Sequence, residues 1–144
     1  MRIADVLQSK PVHEVVTITP EAGVRQLLAT LAEHNIGAVV VSTDGTALDG
    51  IVSERDVVRR LHSDGTVINN VVSAIMSTQV QTCRPEDGLD EVLRLMTERR
   101  FRHMPVCEEG GDCVGIVSIG DLVKHKIDQL QFERDQLDHY VHQT

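Results

Sequence analysis

Tryptophan is absent from this chain of 144 residues, and aromatic side chains make up 2% of it, one Tyr and two Phe. A core built from such a sequence has to be aliphatic, packed from Val, Leu and Ile. The scarcity also removes the platforms on which a single-strand nucleic-acid binder stacks its bases. Positive charge is short as well, with 14 Lys and Arg against 22 Asp and Glu and a formal net charge of −8. Neutralising a phosphate backbone takes a basic surface, so nucleic acid is not expected as the main partner. Arg99, Arg100 and Arg102 form the one local basic cluster that could argue otherwise, and they equally suit the C-terminal end of a helix. Cysteine is limited to Cys83, Cys107 and Cys113, an odd number with no CxxC spacing, for which free buried thiols are expected. No apolar run approaches the ~18 residues of a membrane span, and no signal-peptide pattern opens the chain. A cytoplasmic protein without membrane attachment is expected.

Catalytic patterns are missing too. None of the seven His residues belongs to an HExxH, and neither Ser53 nor Ser118 has a His at a suggestive spacing. Without an activated nucleophile, a metal cluster or a tuned acid–base pair, enzymatic activity is not expected.

What the chain does have is a repeat. Gly50-Ile51-Val52-Ser53-Glu54-Arg55-Asp56 returns as Gly115-Ile116-Val117-Ser118-Ile119-Gly120-Asp121, 65 positions later. Residues 17–61 align with 82–126 without a gap and share 14 identities in 45 pairs. Average residue usage would give roughly 3 by chance. Two copies of one unit are therefore expected, 1–66 and 67–127, with 128–144 as a C-terminal helical extension. Units of this size bury too little surface to be comfortable alone, so the copies should share one packed structure.

Each copy reads as α-β-α-β-β-α, a mixed α/β unit with a three-stranded sheet. In the first, Met1–Leu7 is a short helix stopped at Lys10-Pro11, and Val15–Ile18 a strand. Thr19-Pro20 opens a helix with Val24, Leu27, Leu28 and Leu31 inward. Strands follow at Ala38–Val41 and Leu48–Val52, then a helix from Ser53 and a polar link over His62–Asn70. The second copy repeats the order: a short helix at Val71–Met76, a strand at Val80–Cys83 and a helix from Pro85. Strands at Arg102–Cys107 and Cys113–Val117 then lead to a long helix from about Ile119.

That order, with a glycine-hydrophobic-x-Ser-x-x-Asp step in each copy, resembles the cystathionine-β-synthase (CBS) domain. The tandem resembles the CBS pair called a Bateman module, of the short stand-alone bacterial type, over residues 1 to about 127. The resemblance implies two repeats packed with pseudo-two-fold symmetry. It also implies an adenosyl ligand in clefts between them: AMP first, with ADP, ATP, NAD or S-adenosylmethionine as alternatives.

The Ser-x-x-Asp pairs carry two readings. Ser53 with Asp56, and Ser118 with Asp121, fit capping boxes at helix starts. A helix start also offers free N–H groups to a phosphate, and a carboxylate there can hold the cis hydroxyls of a ribose. Gly50 and Gly115 would allow close backbone approach just before the step. The resemblance makes Asp121 and Asp56 ribose ligands, with Ser118 and Ser53 near the ribose or phosphate. It puts an adenine wall at Arg102-His103-Met104-Pro105 in the second copy and at Gly37-Ala38 in the first. Thr82 would flank the base, Arg55 would fork onto a phosphate, and Lys10 would be a further phosphate partner. The site around His103 and Asp121 is expected to be the better one.

Beyond the repeats, Ile127, Leu130, Leu137 and Val141 follow helical 3–4 spacing, with Arg134 at the intervening position. The stripe is too short for an independent coiled coil, so it should fold back or meet a second chain, and a homodimer is expected. The function expected is a regulatory module that binds an adenosyl ligand and signals, through shape or association, to an effector protein outside this chain. The alternative is a ligand-independent dimerisation or adaptor protein with vestigial clefts.

Overall fold

A computed structural model describes residues 1–10 and 15–142. Helix α1 (Ile3–Ser9) leads into β1 (Thr17–Ile18), α2 (Val24–His34), β2 (Ala38–Val41), β3 (Gly50–Ser53) and α3 (Glu54–Ser63). The second half holds α4 (Leu89–Arg99), β4 (His103–Cys107), β5 (Cys113–Ser118) and α5 (Ile119–Val141). The expected α+β architecture is present. Pro11, expected to stop α1, lies outside the described residues.

The repeat is visible in strand register. Ala38 pairs with Ser53 across the antiparallel β2–β3 ladder, and His103 pairs with Ser118 across β4–β5. Each pair is displaced from the other by the same 65 positions that separate the sequence copies. β1 adds to β2 in parallel, giving the first copy its three strands. The second sheet has only two. The expected strand at Val80–Cys83 reduces to a single bridge, Cys83 with Val106. Pro105 explains the loss: it stands where β2 has Val40 and has no N–H with which to extend the ladder towards Gln81.

Two helices start later than Thr19-Pro20 and Pro85 suggest. α2 begins at Val24 behind Gly23, and α4 begins at Leu89 behind Gly88. Tertiary bonds decide this. The Val24 N–H donates to the Asn70 carbonyl and the Leu89 N–H to that of Met1, each at the start of its helix. The residues between proline and helix form a turn, with the Ala22 N–H on Thr19 and the Asp87 N–H on Arg84. The helix expected over Val71–Met76 is likewise one 3-10 turn, Val72–Ala74. Val71 bridges to Gly23 and Ser77 to Ile51, so too little chain lies between the anchors for α-helical turns. The polar link of His62–Asn70 holds the last turn of α3 and another 3-10 turn at Val67–Asn69, with Val67 in the core.

The two copies exchange their leading segments. One core packs Val24, Leu27, Leu31, Val39 and Val52 with Val67, Val72 and Ile75, residues that precede the second copy's own α4. The other packs Leu89, Val92, Met96, Met104 and Leu122 with Ile3 and Val6 of α1. A third cluster, Val40 with Cys107 and Cys113, joins the sheets, and the Cys113 N–H donates to the Thr46 carbonyl. All three cysteines are buried and unpaired. Burial pushes the Cys83 and Cys107 thiols up to about 12 and raises Cys113, so none offers a reactive thiolate. No helix among the described residues is long and apolar enough to cross a membrane.

Candidate functional site

Both Ser-x-x-Asp steps close as capping boxes. The Ser53 N–H donates to Asp56 Oδ2 at 2.8 Å and the Asp56 N–H to Ser53 Oγ at 3.3 Å. At α5 the Ser118 N–H donates to Asp121 Oδ2 at 2.9 Å and the Asp121 N–H to Ser118 Oγ at 3.0 Å. The capping alternative is the one realised, and each cap uses one oxygen only. Among the described residues Oδ1 of Asp56 and of Asp121 accepts no hydrogen bond, and both side chains are part-exposed. A half-buried carboxylate fixed through one oxygen can receive a hydroxyl on the other.

A cleft of about 340 Å³ opens at the start of α3. Ser53, Arg55 and Asp56 line it from the first copy, facing Arg102 and His103 from the second. This pairing differs from the expected one, in which Arg102 and His103 served the Asp121 site. The reason is packing at the local symmetry axis. The starts of β2 and β4 meet there, so that a Cβ on Gly37 would lie 3.3 Å from the His103 ring and 3.4 Å from Glu54 Oε1. Arg102 keeps its backbone beside its own helix, its carbonyl accepting from the Ile119 N–H, while its side chain faces α3. Burial, and after it the Arg102 charge, lowers the His103 pKa, against the opposing pull of Glu54 and Asp121.

A second cleft, of about 210 Å³, also reaches the start of β2. Leu7, Val15, Val16, Ile36 and Val114 give it apolar walls, and Ala38 is shared by both clefts. Asp121 and Ser118 do not line it directly. Asp121 joins it through Lys10, whose ammonium stands 3.0 Å from Asp121 Oδ2 and donates to the Ile116 carbonyl at 2.9 Å. Burial would raise the Asp121 pKa, but hydrogen bonds from the Ser118 N–H and Lys10 outweigh it and hold the carboxyl below its ordinary range.

Three expected residues fall outside both linings. Met104 is fully buried in the second core, on the face of β4 opposite His103, and Pro105 is buried where its carbonyl accepts from the Cys83 N–H. Thr82 precedes the Cys83 bridge and lines neither cleft. Gly50 and Gly115 allow close approach, but of the chain itself. A Cβ on Gly50 would stand 2.6 Å from the Ser77 carbonyl oxygen, and one on Gly115 2.7 Å from Leu7 Cδ2. Among the lining residues that sequence reasoning left out are Ile51, Glu54, Arg59, Ser77 and Phe101 in the larger cleft, and His34 in the smaller. Arg59 could have been found, since it lies one turn beyond Arg55 on α3; Ser77 is recruited by its bridge to Ile51, which leaves no signal in the sequence.

The chain is similar to known proteins in sequence and fold. The model of the CBS domain matches residues 3–63 and 72–128. The mitochondrial CBS domain-containing protein CBSX3 of Arabidopsis thaliana is 33% identical over 147 residues, covering 96% of this chain and 71% of that protein. The crystal structure of a CBS-domain containing protein from Agrobacterium tumefaciens has a TM-score of 0.81 at 37% identity, covering 88% of this chain and 99% of that one. The crystal structure of CBSX2 in complex with AMP has the same fold, with a TM-score of 0.76 at 23% identity over 88% of this chain and 96% of that one.

Proposed function

Because the chain belongs to the CBS-domain family and carries two such domains in tandem, we propose that it is a regulatory module binding an adenosyl ligand in the clefts beside Asp56 and Asp121. The observation that carries this reading is the pair of helix-start carboxylates, each capped through Oδ2, with Oδ1 accepting no hydrogen bond among the described residues. Asp56 would hold the ribose hydroxyls of one ligand, with Ser53 and the first N–H groups of α3 near its phosphate. Phe101, Ile51 and Ala38 offer apolar contact for the base in the same cleft. Asp121 and Lys10 would serve the smaller cleft. AMP is the first ligand to try, since the CBSX2 structure of this fold holds it.

The geometry supports a route for signalling. Each cleft is walled by both copies, so a ligand that favours one packing of the copies over another shifts their equilibrium by its difference in affinity. We propose a homodimer as the signalling unit, with α5 between chains. Beyond Lys126 that helix leaves Ile127, Leu130, Leu137 and Val141 half or more exposed, with Phe132 and Tyr140 more open still. A second copy of so acidic a chain offers the same apolar stripe, and α5 also supplies Lys124, Lys126 and Arg134. Three free buried thiols suit a reducing compartment such as the cytoplasm.

Thermal denaturation with AMP, ADP, ATP, NAD and S-adenosylmethionine tests the reading. A ligand at 100 times its dissociation constant adds about 2.7 kcal/mol of stability. Asp56→Ala and Asp121→Ala should each remove part of that gain, and the double variant all of it. If no adenosyl compound raises the midpoint, the sensor reading falls and an adaptor with vestigial clefts replaces it.

A further inference from the structure

We infer that the two clefts divide ligands by charge, the Asp56 cleft taking an adenosine nucleotide with two or three phosphates and the Lys10 cleft one with at most one. This rests on the adenosyl reading above and assigns the ligand class at each site.

Five guanidinium groups, Arg55, Arg59, Arg99, Arg100 and Arg102, line the Asp56 cleft. None forms an ion pair among the described residues, although the chain has 22 acidic residues to offer. The carboxylates in the same lining are Glu54 and Asp56, which leaves an excess of three positive charges with His103 neutral. That excess matches the charge of a nucleoside di- or triphosphate and exceeds that of a monophosphate.

Helix-end electrostatics does not account for the cluster. Cations are favoured at the end of α4, where Arg99 and Arg100 lie, but disfavoured in the first turn of α3, where Arg55 lies. Backbone geometry adds a second, independent sign. Arg100 is left-handed at φ 60 and ψ 36, matching Asn35 at φ 51 in the first copy. Asn and Gly adopt that conformation readily, whereas Arg is strained there. An Arg held in that position at the cleft wall points to its guanidinium having work to do. The Lys10 cleft is the contrast. Its ammonium is already held by Asp121 and the Ile116 carbonyl, and its walls are apolar. It is also the smaller, about 210 against 340 Å³.

Isothermal titration of the full chain with adenosine, AMP, ADP and ATP at fixed ionic strength tests the inference. The comparison is a triple variant, Arg55→Gln, Arg59→Gln and Arg100→Asn, the last being the residue the first copy uses at that backbone position. Wild type should bind ATP at least tenfold more tightly than AMP at one site, with inorganic triphosphate competing there. The variant should lose that preference, bind adenosine within about twofold of wild type, and unfold at a midpoint no lower than that of wild type. If AMP and ATP bind alike, or the variant keeps the preference, the charge assignment falls while the adenosyl reading stands. If none of the four binds, the adenosyl reading itself falls. If single-stranded RNA binds instead and the triple variant abolishes it, the cluster is a nucleic-acid surface and the inference is overturned.

Discussion

The Lys10 ammonium stands 3.0 Å from the Asp121 carboxylate and 2.9 Å from the Ile116 carbonyl oxygen. One side chain thereby ties the end of α1 to β5 and to the first turn of α5, elements of the second copy in whose core α1 packs. Both partners are about 30% exposed, so the ion pair itself is worth little, and the tie to the buried strand adds to it.

Lys10→Met should lower stability by about 1 kcal/mol, the worth of one hydrogen bond plus a screened pair. Urea denaturation at pH 7 measures it. A loss indistinguishable from zero would mean that the apolar packing of Ile3 and Val6 and the backbone bonds of Ile3 and Ala4 hold α1 without it.

Asp121 gives this a pH signature. Its folded pKa lies below the ordinary carboxylate value, so its contribution is complete above about pH 4 and fades as pH falls through the folded value. The stability gap between wild type and Asp121→Asn should therefore be constant from pH 8 to 5 and close on further acidification. A gap that widens in acid would contradict the lowered pKa.

His103 acts in a different window. Burial and Arg102 hold its folded pKa below the ordinary value, so the unfolded chain takes up a proton first as pH falls below about 6.5. Stability should drop from pH 7.5 to 5.5 in wild type, and His103→Gln should flatten that slope. An unchanged slope in the variant would assign the effect to another group.

Glycine substitutions separate packing from chain entropy. Gly50→Ala forces a Cβ against the Ser77 carbonyl, a backbone atom that cannot step aside, and should cost about 1–3 kcal/mol. Gly120→Ala meets only Ser118 Oγ, at 3.7 Å, and should stabilise α5 by about 0.4–1 kcal/mol. Chemical denaturation of both variants checks the opposite signs.

The association of α5 is open to a direct measurement. Leu130→Glu with Leu137→Glu alters two exposed positions and should leave the monomer fold intact. Sedimentation equilibrium should change from dimer to monomer. A wild-type chain that is already monomeric at micromolar concentration would remove the dimer from the proposal.

Much of this was legible before any coordinates. The strands over Ala38–Val41 and from Cys113 read correctly because an apolar run bounded by turns has few other uses, and the Ser-x-x-Asp steps announced both helix starts. What failed was non-local. Thr19-Pro20 and Pro85 are sound helix openers locally, yet the exchanged segments bond the Val24 and Leu89 N–H groups instead. Assigning Arg102 and His103 to a cleft needed the packing of His103 over Gly37, a contact 66 positions apart that spacing along the chain cannot express. Adding Phe101 to the cleft meets the same obstacle, since just past the end of α4 it is an ordinary residue.

The exchanged leading helices make the repeat a unit of sequence but not a unit of folding. A lone copy lacks the piece that closes its own core, since Ile3 and Val6 belong with Leu89 and Leu122, and Val72 and Ile75 with Leu27 and Val52. Expressed singly, either half would have to borrow that arm from another molecule, as a swapped dimer does. The tandem chain is such a swap sewn into one polypeptide. Its two halves can diverge in what they bind, but neither can be excised, reordered or allowed to drift in its arm without unmaking the other.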